Sequence, residues 1–305
     1  MKNLQRVMAI LKENQSDDLV IRYTHLLGRM FKPKQIYFIH LPGSHDIPKE
    51  ILSQYPVLAE PHGEPAHNRI RDLVESHFKP PPDCRVIFEV LKSSSVLELL
   101  RFSWKQKIDL ILISKPGKKE VDLHDLLAEK IARKAPCPVL LIPVNSKPVI
   151  KNILVPVDYS ENSGLAFESA IQFASAAKIK QIFCLHVFRV PIEYERTGKS
   201  YEEFSQIMED IAALGYENFI DRMDTGKVEV IPIFHRSDNP AESIQSAVKT
   251  EAIDLVVIGN KGRNATLLLG SVSEKLIRIT GTPLLVSKRK GIWINLIKII
   301  LSWRF

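Results

Sequence analysis

Apolar residues follow two alternating patterns along this chain. Short, nearly uninterrupted apolar runs are separated by longer stretches in which apolar positions recur three and four residues apart. The runs predict strands buried on both faces, the stretches predict helices with one buried stripe, and their alternation predicts a parallel sheet with crossover helices. In the second half the predicted strands are Ile153–Val157, Gln181–Phe188, Val228–Phe234, Leu255–Gly259 and Pro283–Ser287. The helices between them are Ser160–Ala177, Tyr201–Met223, Pro240–Thr250 and Ser271–Thr280. Ser160 and Asn239 are suitable caps for the helices they precede, and Pro240 suits a first helical position.

The first half repeats this plan, with strands at Arg6–Lys12, Gln35–Leu41, Arg85–Leu91, Leu110–Ser114 and Val139–Pro143. Helices are expected near Ser16–Met30, Asn68–Phe78, Ser95–Gln106 and His124–Lys134. The repeat is visible residue by residue. Gln35-Ile36-Tyr37-Phe38-Ile39-His40-Leu41 lies 146 residues before Gln181-Ile182-Phe183-Cys184-Leu185-His186-Val187, and Ile108-Asp109-Leu110 lies 145 before Ile253-Asp254-Leu255. Duplication is the simplest explanation. It divides the chain into residues 1–144 and 151–290, with a seam near Asn145–Lys151 and a tail at 291–305. The stretch Pro42–His67 is the longest irregular segment; its His45, His62 and His67 are irregularly spaced with no nearby cysteine, which favours a solvated loop over a metal site.

Composition adds limits. A chain of 305 residues has room for two cores, and 45% hydrophobic with 25% charged residues is the balance of a water-soluble globular protein. Cys84, Cys137 and Cys184 are scattered and odd in number, as expected of buried reduced thiols. The first apolar stretch, Val7–Leu11, is broken by Lys12 and Glu13, too short for a secretory segment, so a cytoplasmic location is expected. Five of the seven net positive charges come from Lys288, Arg289, Lys290, Lys298 and Arg304, which leaves +2 for the rest. A body so nearly neutral argues against nucleic acid as a partner.

Three features of the second half converge on one edge. The first strand ends Val155-Pro156-Val157-Asp158, placing a carboxylate at the carboxyl edge of a parallel strand, where open α/β sheets bind ligands. The fourth strand ends Gly259-Asn260-Lys261-Gly262. Beyond it, Gly270-Ser271-Val272 opens a helix whose first N–H groups and dipole suit a phosphate, with Ser271 able to cap the helix and donate its hydroxyl. Taken singly, a glycine pair after a strand is a turn and a serine before a helix is a cap. Thr197-Gly198-Lys199-Ser200 imitates the end of a P-loop, but the first glycine of that motif would fall at Glu193 and no strand leads into it. His235 and Asp238 follow the third strand without a recognisable nucleophile elbow, so His235 is expected to be a loop residue and no catalytic residue is assigned.

Ile153-Leu154-Val155-Pro156-Val157-Asp158, Leu185-His186-Val187, Asn239-Pro240-Ala241-Glu242-Ser243-Ile244, and Gly259-Asn260-Lys261-Gly262 through Gly270-Ser271-Val272-Ser273-Glu274-Lys275 together resemble the universal stress protein family. The resemblance covers residues 151–290 and reaches 1–144 through the repeat. It implies two tandem α/β domains related by a pseudo-twofold axis, each a five-stranded parallel sheet of order 3-2-1-4-5, of the adenine nucleotide alpha hydrolase-like kind. It also implies pairing through the last strands, either within the chain as a pseudo-dimer or in a homodimer. In the nucleotide-binding branch, Asp158 and the Val187 backbone would meet adenine, Gly259, Gly262, Gly270 and Ser271 would hold ribose and phosphates, and Pro156 and Val272 would line the pocket. The family pattern has nine residues between its second and third glycines where this chain has seven, Arg263 to Leu269. ATP, ADP and AMP therefore stay open as ligands, beside a scaffold without nucleotide and a slow ATPase. The leading expectation is a stress-response module that senses an adenine nucleotide without strong catalysis. In the first half Lys12 stands for Asp158, Ile10 for Pro156, Ser114 for Gly259, Asp125 for Gly270 and Leu126 for Ser271, while Gly117 matches Gly262. That half is expected to have lost any nucleotide site.

The tail lies beyond the resemblance. Ten of the fourteen residues from Ile292 to Phe305 are apolar, Trp293 and Trp303 among them. As a helix it would be about 21 Å long against a bilayer core of about 30 Å, too short to span. Behind the cluster Lys288, Arg289, Lys290, an amphipathic helix of this kind is expected to lie in an anionic membrane surface, the alternative being packing on the protein itself. Full-length protein is predicted to float with anionic liposomes at low salt and protein ending at Ser287 to stay behind; equal behaviour would make the tail a packing element.

Overall fold

The computed structural model describes residues 4–41, 54, 64–91, 95–115, 123–260 and 270–288, and for 64–67 and 123–126 the backbone alone. The chain forms two compact units that meet in sequence at Pro148 and Val149. The first contains β1 (Arg6–Leu11), α1 (Asp17–Phe31), β2 (Gln35–His40), α2 (Glu64–His77), β3 (Arg85–Val90), α3 (Val96–Lys105), β4 (Leu110–Lys115), α4 (Leu123–Lys134) and β5 (Val139–Pro143). The second contains β6 (Ile153–Val157), α5 (Glu161–Ala177), β7 (Gln181–Phe188), a 3₁₀ turn at Ile192–Thr197, α6 (Tyr201–Ile220), β8 (Glu229–Arg236), α7 (Pro240–Thr250), β9 (Leu255–Gly259), α8 (Ser271–Ile279) and β10 (Leu284–Ser287).

Within each unit the strands are parallel and lie in the order third, second, first, fourth, fifth: β3-β2-β1-β4-β5 and β8-β7-β6-β9-β10. The first and fourth strands sit in the middle of each sheet and leave in opposite directions, which makes the gap between their carboxyl ends the switch point. β4, β5 and β10 are buried along their whole length, as their unbroken apolar sequences require. One carboxylate holds the other end of each sheet together. Asp109 Oδ2 accepts the N–H groups of Gln5 (2.7 Å) and Arg6 (2.8 Å), and Asp254 Oδ2 accepts those of Lys151 (2.9 Å) and Asn152 (3.1 Å). The equivalent Ile-Asp pairs are therefore clamps between the first and fourth strands.

The duplication is also written in the backbone. Left-handed residues recur at Glu13 (φ 56°) and Tyr159 (φ 61°), at Lys32 (47°) and Lys178 (57°), and at Lys107 (52°) and Ala252 (46°). A non-glycine residue adopts this conformation at a cost, so three such pairs at the offsets of the sequence repeat mark a shared chain path.

Several boundaries differ from expectation for local reasons. α2 begins at Glu64, so the irregular stretch does not reach His67; His45 and His62 lie outside the described residues. His235 lies inside β8 because the edge strand pairs with β7 as far as Arg236, and it is not a loop residue. Ser160 caps α5 by accepting the N–H of Ser163 (3.3 Å), but Asn239 makes no such bond; its Oδ1 accepts Lys275 Nζ at 3.0 Å. The P-loop imitation resolves into two ordinary features: Gly198 (φ 72°) ends the 3₁₀ turn, and Ser200 forms a capping box with Glu203 at the start of α6. Cys137 and Cys184 are buried, whereas Cys84, in the turn before β3, is only half-buried. The tail 291–305, its predicted amphipathic helix included, lies outside the described residues. Among the described residues no helix is long and apolar enough to cross a membrane.

Candidate functional site

The carboxyl edge of the second sheet opens at its switch point, and one imino acid explains why. β6 pairs with β9 only at Ile153–Leu255 and Leu154–Val256, while on its other side β6 pairs with β7 through Val157–His186. The Asn152 carbonyl accepts the N–H of Leu255 (3.2 Å), so the backbone groups of Asn152, Leu154 and residue 156 all turn toward β9. Residue 156 is proline and has no N–H for the next rung. The ladder stops and the strands part. In the first unit the equivalent residue is Ile10, and β1 stays paired with β4 up to Ile10–Ile113. The first turn of α5 presses into the gap: a Cβ on Gly259 would lie 2.7 Å from the carbonyl oxygen of Asn162. The glycine at 259 is thus required by helix-on-strand packing within the protein.

One rim of the opening carries Asp158. Its Oδ1 accepts the N–H of Ser160 at 3.1 Å, a turn that holds the carboxylate at the head of α5. Continuing the β6–β7 register places Asp158 opposite Val187, which is half-buried and itself pairs with His235 of β8. Between Asp158 and the helix, Tyr159 takes its left-handed conformation because its ring is held on three sides. It stacks on His186 (centroids 4.3 Å apart, 15° between planes), its hydroxyl donates to the Ala212 carbonyl at 2.8 Å, and Gly215 leaves it room, since a Cβ there would come within 2.8 Å of the ring. Burial pushes the Tyr159 phenol up, keeping it a donor. His186 Nδ1 lies 2.9 Å from the Val157 carbonyl, which can only accept.

The other rim is the entry to α8. Gly270 is its N-cap and has no side chain to offer; its N–H donates to the carbonyl of buried Asn260 at 2.8 Å, which ties the entry of α8 to the end of β9. Ser271 is the first helical residue, exposed, and does not cap the helix as expected, because the cap position falls one residue earlier. Val272 is half-buried in the first turn, and Ser273 Oγ donates to the Gly259 carbonyl at 2.8 Å. Pro156 is half-buried beside Leu185 on the Asp158 rim. Of the residues singled out from the sequence, Pro156, Asp158, Val187, Gly259, Gly270, Ser271 and Val272 all lie at this carboxyl edge; Gly262 lies outside the described residues. The parts played by Tyr159, His186, Asn260 and Ser273 were missed, although each sits inside or next to a quoted motif.

The corresponding edge of the first unit is filled by its own side chains. Lys12 Nζ donates to the Ser114 carbonyl at 2.8 Å and Ser16 Oγ to Ser114 Oγ at 2.7 Å, so β1 and β4 are bridged where β6 and β9 part. Buried Asp17 accepts the N–H groups of Lys12 (2.9 Å) and Glu13 (2.8 Å), and burial pushes its carboxyl up to about 6 despite these bonds. His40, in the place of His186, faces the Glu13 carboxylate at 3.7 Å, and Arg69 pairs with Glu13 at 2.7 Å. α4 begins at Leu123, so Asp125 is its third residue and not its entrance. Among the described residues no group of acidic, histidine or cysteine side chains is placed to hold a metal ion. His235 Nδ1 lies 2.9 Å from Ser243 Oγ of α7.

Residues 150–288 match the model of the universal stress protein family. The chain is 27% identical over 160 residues to universal stress protein MJ0577 of Methanocaldococcus jannaschii, covering 46% of this chain and 96% of that one. It is 25% identical over 206 residues to universal stress protein Rv2623 of Mycobacterium tuberculosis, covering 66% of this chain and 67% of the relative. A universal stress protein structure from Archaeoglobus fulgidus superposes with a TM-score of 0.61 at 15% identity, over 95% of this chain and 98% of the other, a likeness of fold. The second unit is thus a universal stress protein domain. The first unit shares the fold, so the chain carries two units of it.

Two outcomes follow from this geometry. Pro156→Ile should restore the missing rung: the new amide at 156 is expected to be protected from hydrogen exchange, with about 0.5–1.5 kcal/mol of added stability. Fast exchange at that amide would refute the account of the opening. Asp17, raised in the folded state above its unfolded value of 3.8, binds its proton more tightly when folded. Stability from this group is full below about pH 4 and is lost as pH rises toward about 6, by on the order of 2–3 kcal/mol at most. Denaturant titration of the Asp17→Asn variant should show that slope removed from the pH 4–6 window.

Proposed function

We propose that the second domain binds an adenine nucleotide at the carboxyl edge of its sheet and that the chain works as a nucleotide-responsive regulatory module without strong catalysis. The observation that carries this reading is the parted β6–β9 gap. It has a carboxylate and a strand-edge backbone on one rim, at Asp158 and Val187, and an uncapped helix entry on the other, at Gly270 and Ser271. A carboxylate and backbone groups suit the hydrogen-bonding edge of a base, while free N–H groups at a helix start suit a phosphate. The gap lies at the topological switch point, where open α/β sheets take their ligands. Weak catalysis is the reading because no carboxylate that could hold a metal stands between Gly259 and Ser271 in the sequence. The first domain contributes no second site, because Lys12 and Ser16 bridge its strands across the equivalent gap.

Calorimetry on the full chain with adenosine, AMP, ADP and ATP is expected to give one site per chain. Gly270 has an extended backbone (φ −75°, ψ 152°) that valine also adopts, so Gly270→Val should fold and lose the nucleotide by blocking close backbone approach. Two equivalent sites, or unchanged affinity in that variant, would contradict the reading; no binding of any of the four would leave a scaffold acting through its surfaces.

A further inference from the structure

Large apolar side chains left in water are informative when they gather on one face. Among the described residues, and apart from Val144 and Val149 at the seam, the exposed ones gather in two places. On α3 of the first domain, Leu97 (36% exposed) and Trp104 (43%) share a crest with exposed Arg101 between them, four residues after the one and three before the other. On α6 of the second domain, Ile211 (56%) and Leu214 (59%) continue a line that starts at half-buried Ile207, at the same spacing. Exposed Tyr201 opens this helix, and Ile192 (89%) stands in the 3₁₀ turn before it. Residues three and four apart lie on one side of a helix. The opposite sides are the buried ones, through Leu99, Leu100 and Ser103 of α3 and Ser205, Ala212 and Phe219 of α6, so both apolar lines turn away from their own sheets.

The two crests carry opposite charge. Arg101, Lys105 and Lys107 are exposed on and just after α3, and α4, which packs beside α3, adds exposed Lys130 and Lys134. Residues 96–107 and 123–134 together hold six basic residues against three acidic ones. Residues 192–221 hold eight acidic residues against two basic ones, in a chain whose net charge is +7. On α6 itself, exposed Asp210 and Glu217 flank the apolar line, the first four residues before Leu214 and the second three after it. An acidic crest repels anionic lipid and nucleic acid, and it repels its own counterpart on a second molecule. It fits a helix face that presents apolar side chains among basic ones, and α3 is such a face.

We propose that α6 of one molecule docks on α3 of a second copy of this chain. Ile211 and Leu214 pack against Leu97 and Trp104, while Asp210 and Glu217 meet Arg101 and Lys105. The contact joins unlike faces, and every molecule offers one of each kind. Association therefore continues into a ring or a chain, or closes as a pair when both contacts form at once. Two helices crossing along one line bury less surface than a permanent interface does, so the contact is a weak one that charge steers and salt loosens. It uses neither rim of the β6–β9 opening and does not depend on the nucleotide reading.

The test is sedimentation of the full chain over a concentration series, at about 0.05 M and about 0.5 M salt. Wild type is expected to gain average mass with concentration at low salt and to lose that gain at high salt. Asp210→Lys with Glu217→Lys, and separately Arg101→Glu with Lys105→Glu, should each weaken association by about tenfold or more. All four side chains are exposed, so both variants should keep the fold, which thermal unfolding checks. Mixed in equal amounts, the two variants should associate again, because the reversed α6 of one fits the reversed α3 of the other. Each reversal moves the net charge of +7 by four, up in the first variant and down in the second, so both stay positive and general attraction between unlike molecules does not imitate the rescue. Ile211→Ser with Leu214→Ser should weaken association at both salt concentrations. Three results overturn the proposal: a wild type whose mass does not rise with concentration, association that survives either charge reversal and so runs through another surface, or a mixture that stays apart.

Discussion

The missing backbone hydrogen at residue 156 governs the arrangement of the second domain. A parallel ladder holds two central strands at one spacing as long as every second residue can donate across it, and Pro156 cannot. The ladder between β6 and β9 consequently ends halfway, and the carboxyl ends of the two strands become the two rims of an opening. Everything placed on those rims depends on that separation: Asp158 and its turn into α5, Gly259 under the first turn of the same helix, and the bond from the Gly270 N–H to the Asn260 carbonyl.

The first domain shows the same chain path without the opening. It keeps the order of strands, the aspartate clamp at the start of β1, and the left-handed residue after the first strand. What differs is chemistry at four equivalent places. Ile10 in place of proline extends the ladder, Lys12 in place of aspartate reaches across to the Ser114 carbonyl, Ser114 itself adds a hydroxyl that Ser16 bonds, and Glu13 in place of tyrosine faces His40. The first three changes add contacts across the gap, and the fourth joins the end of β1 to β2. A duplicated unit can thus keep its fold, which depends on buried strands, while its edge becomes a network of internal polar bonds.

The opening in the second domain is held by strain as well as by packing. Tyr159 occupies a conformation that costs about 1–3 kcal/mol for a residue with a side chain, and is kept there by His186, the Ala212 carbonyl and the room left by Gly215. α6 therefore contributes to the position of Asp158 through its neighbour Tyr159. The same logic separates two kinds of glycine at this edge. Gly259 is required by the protein's own helix, whereas Gly270 has an extended backbone that other residues also adopt.

The amino-acid sequence by itself determined the strands, the helices, their alternation and the duplication, because strand and helix periodicities and buried apolar runs are local properties. Ile153–Val157, Gln181–Phe188, Leu255–Gly259, Pro240–Thr250 and Val139–Pro143 have the predicted bounds. Sequence also brought Asp158, Val187, Gly259, Gly270 and Ser271 to one edge, since all follow strand ends or open a helix. Only the tertiary structure decided what those residues do to one another. That Pro156 ends a ladder depends on which neighbour its backbone faces, and that Gly259 serves helix packing depends on where α5 lands. Asn239 gave up its expected cap to a lysine 36 positions away for the same reason. Pairings between distant segments are set by the balance of the whole core, and no local pattern contains them.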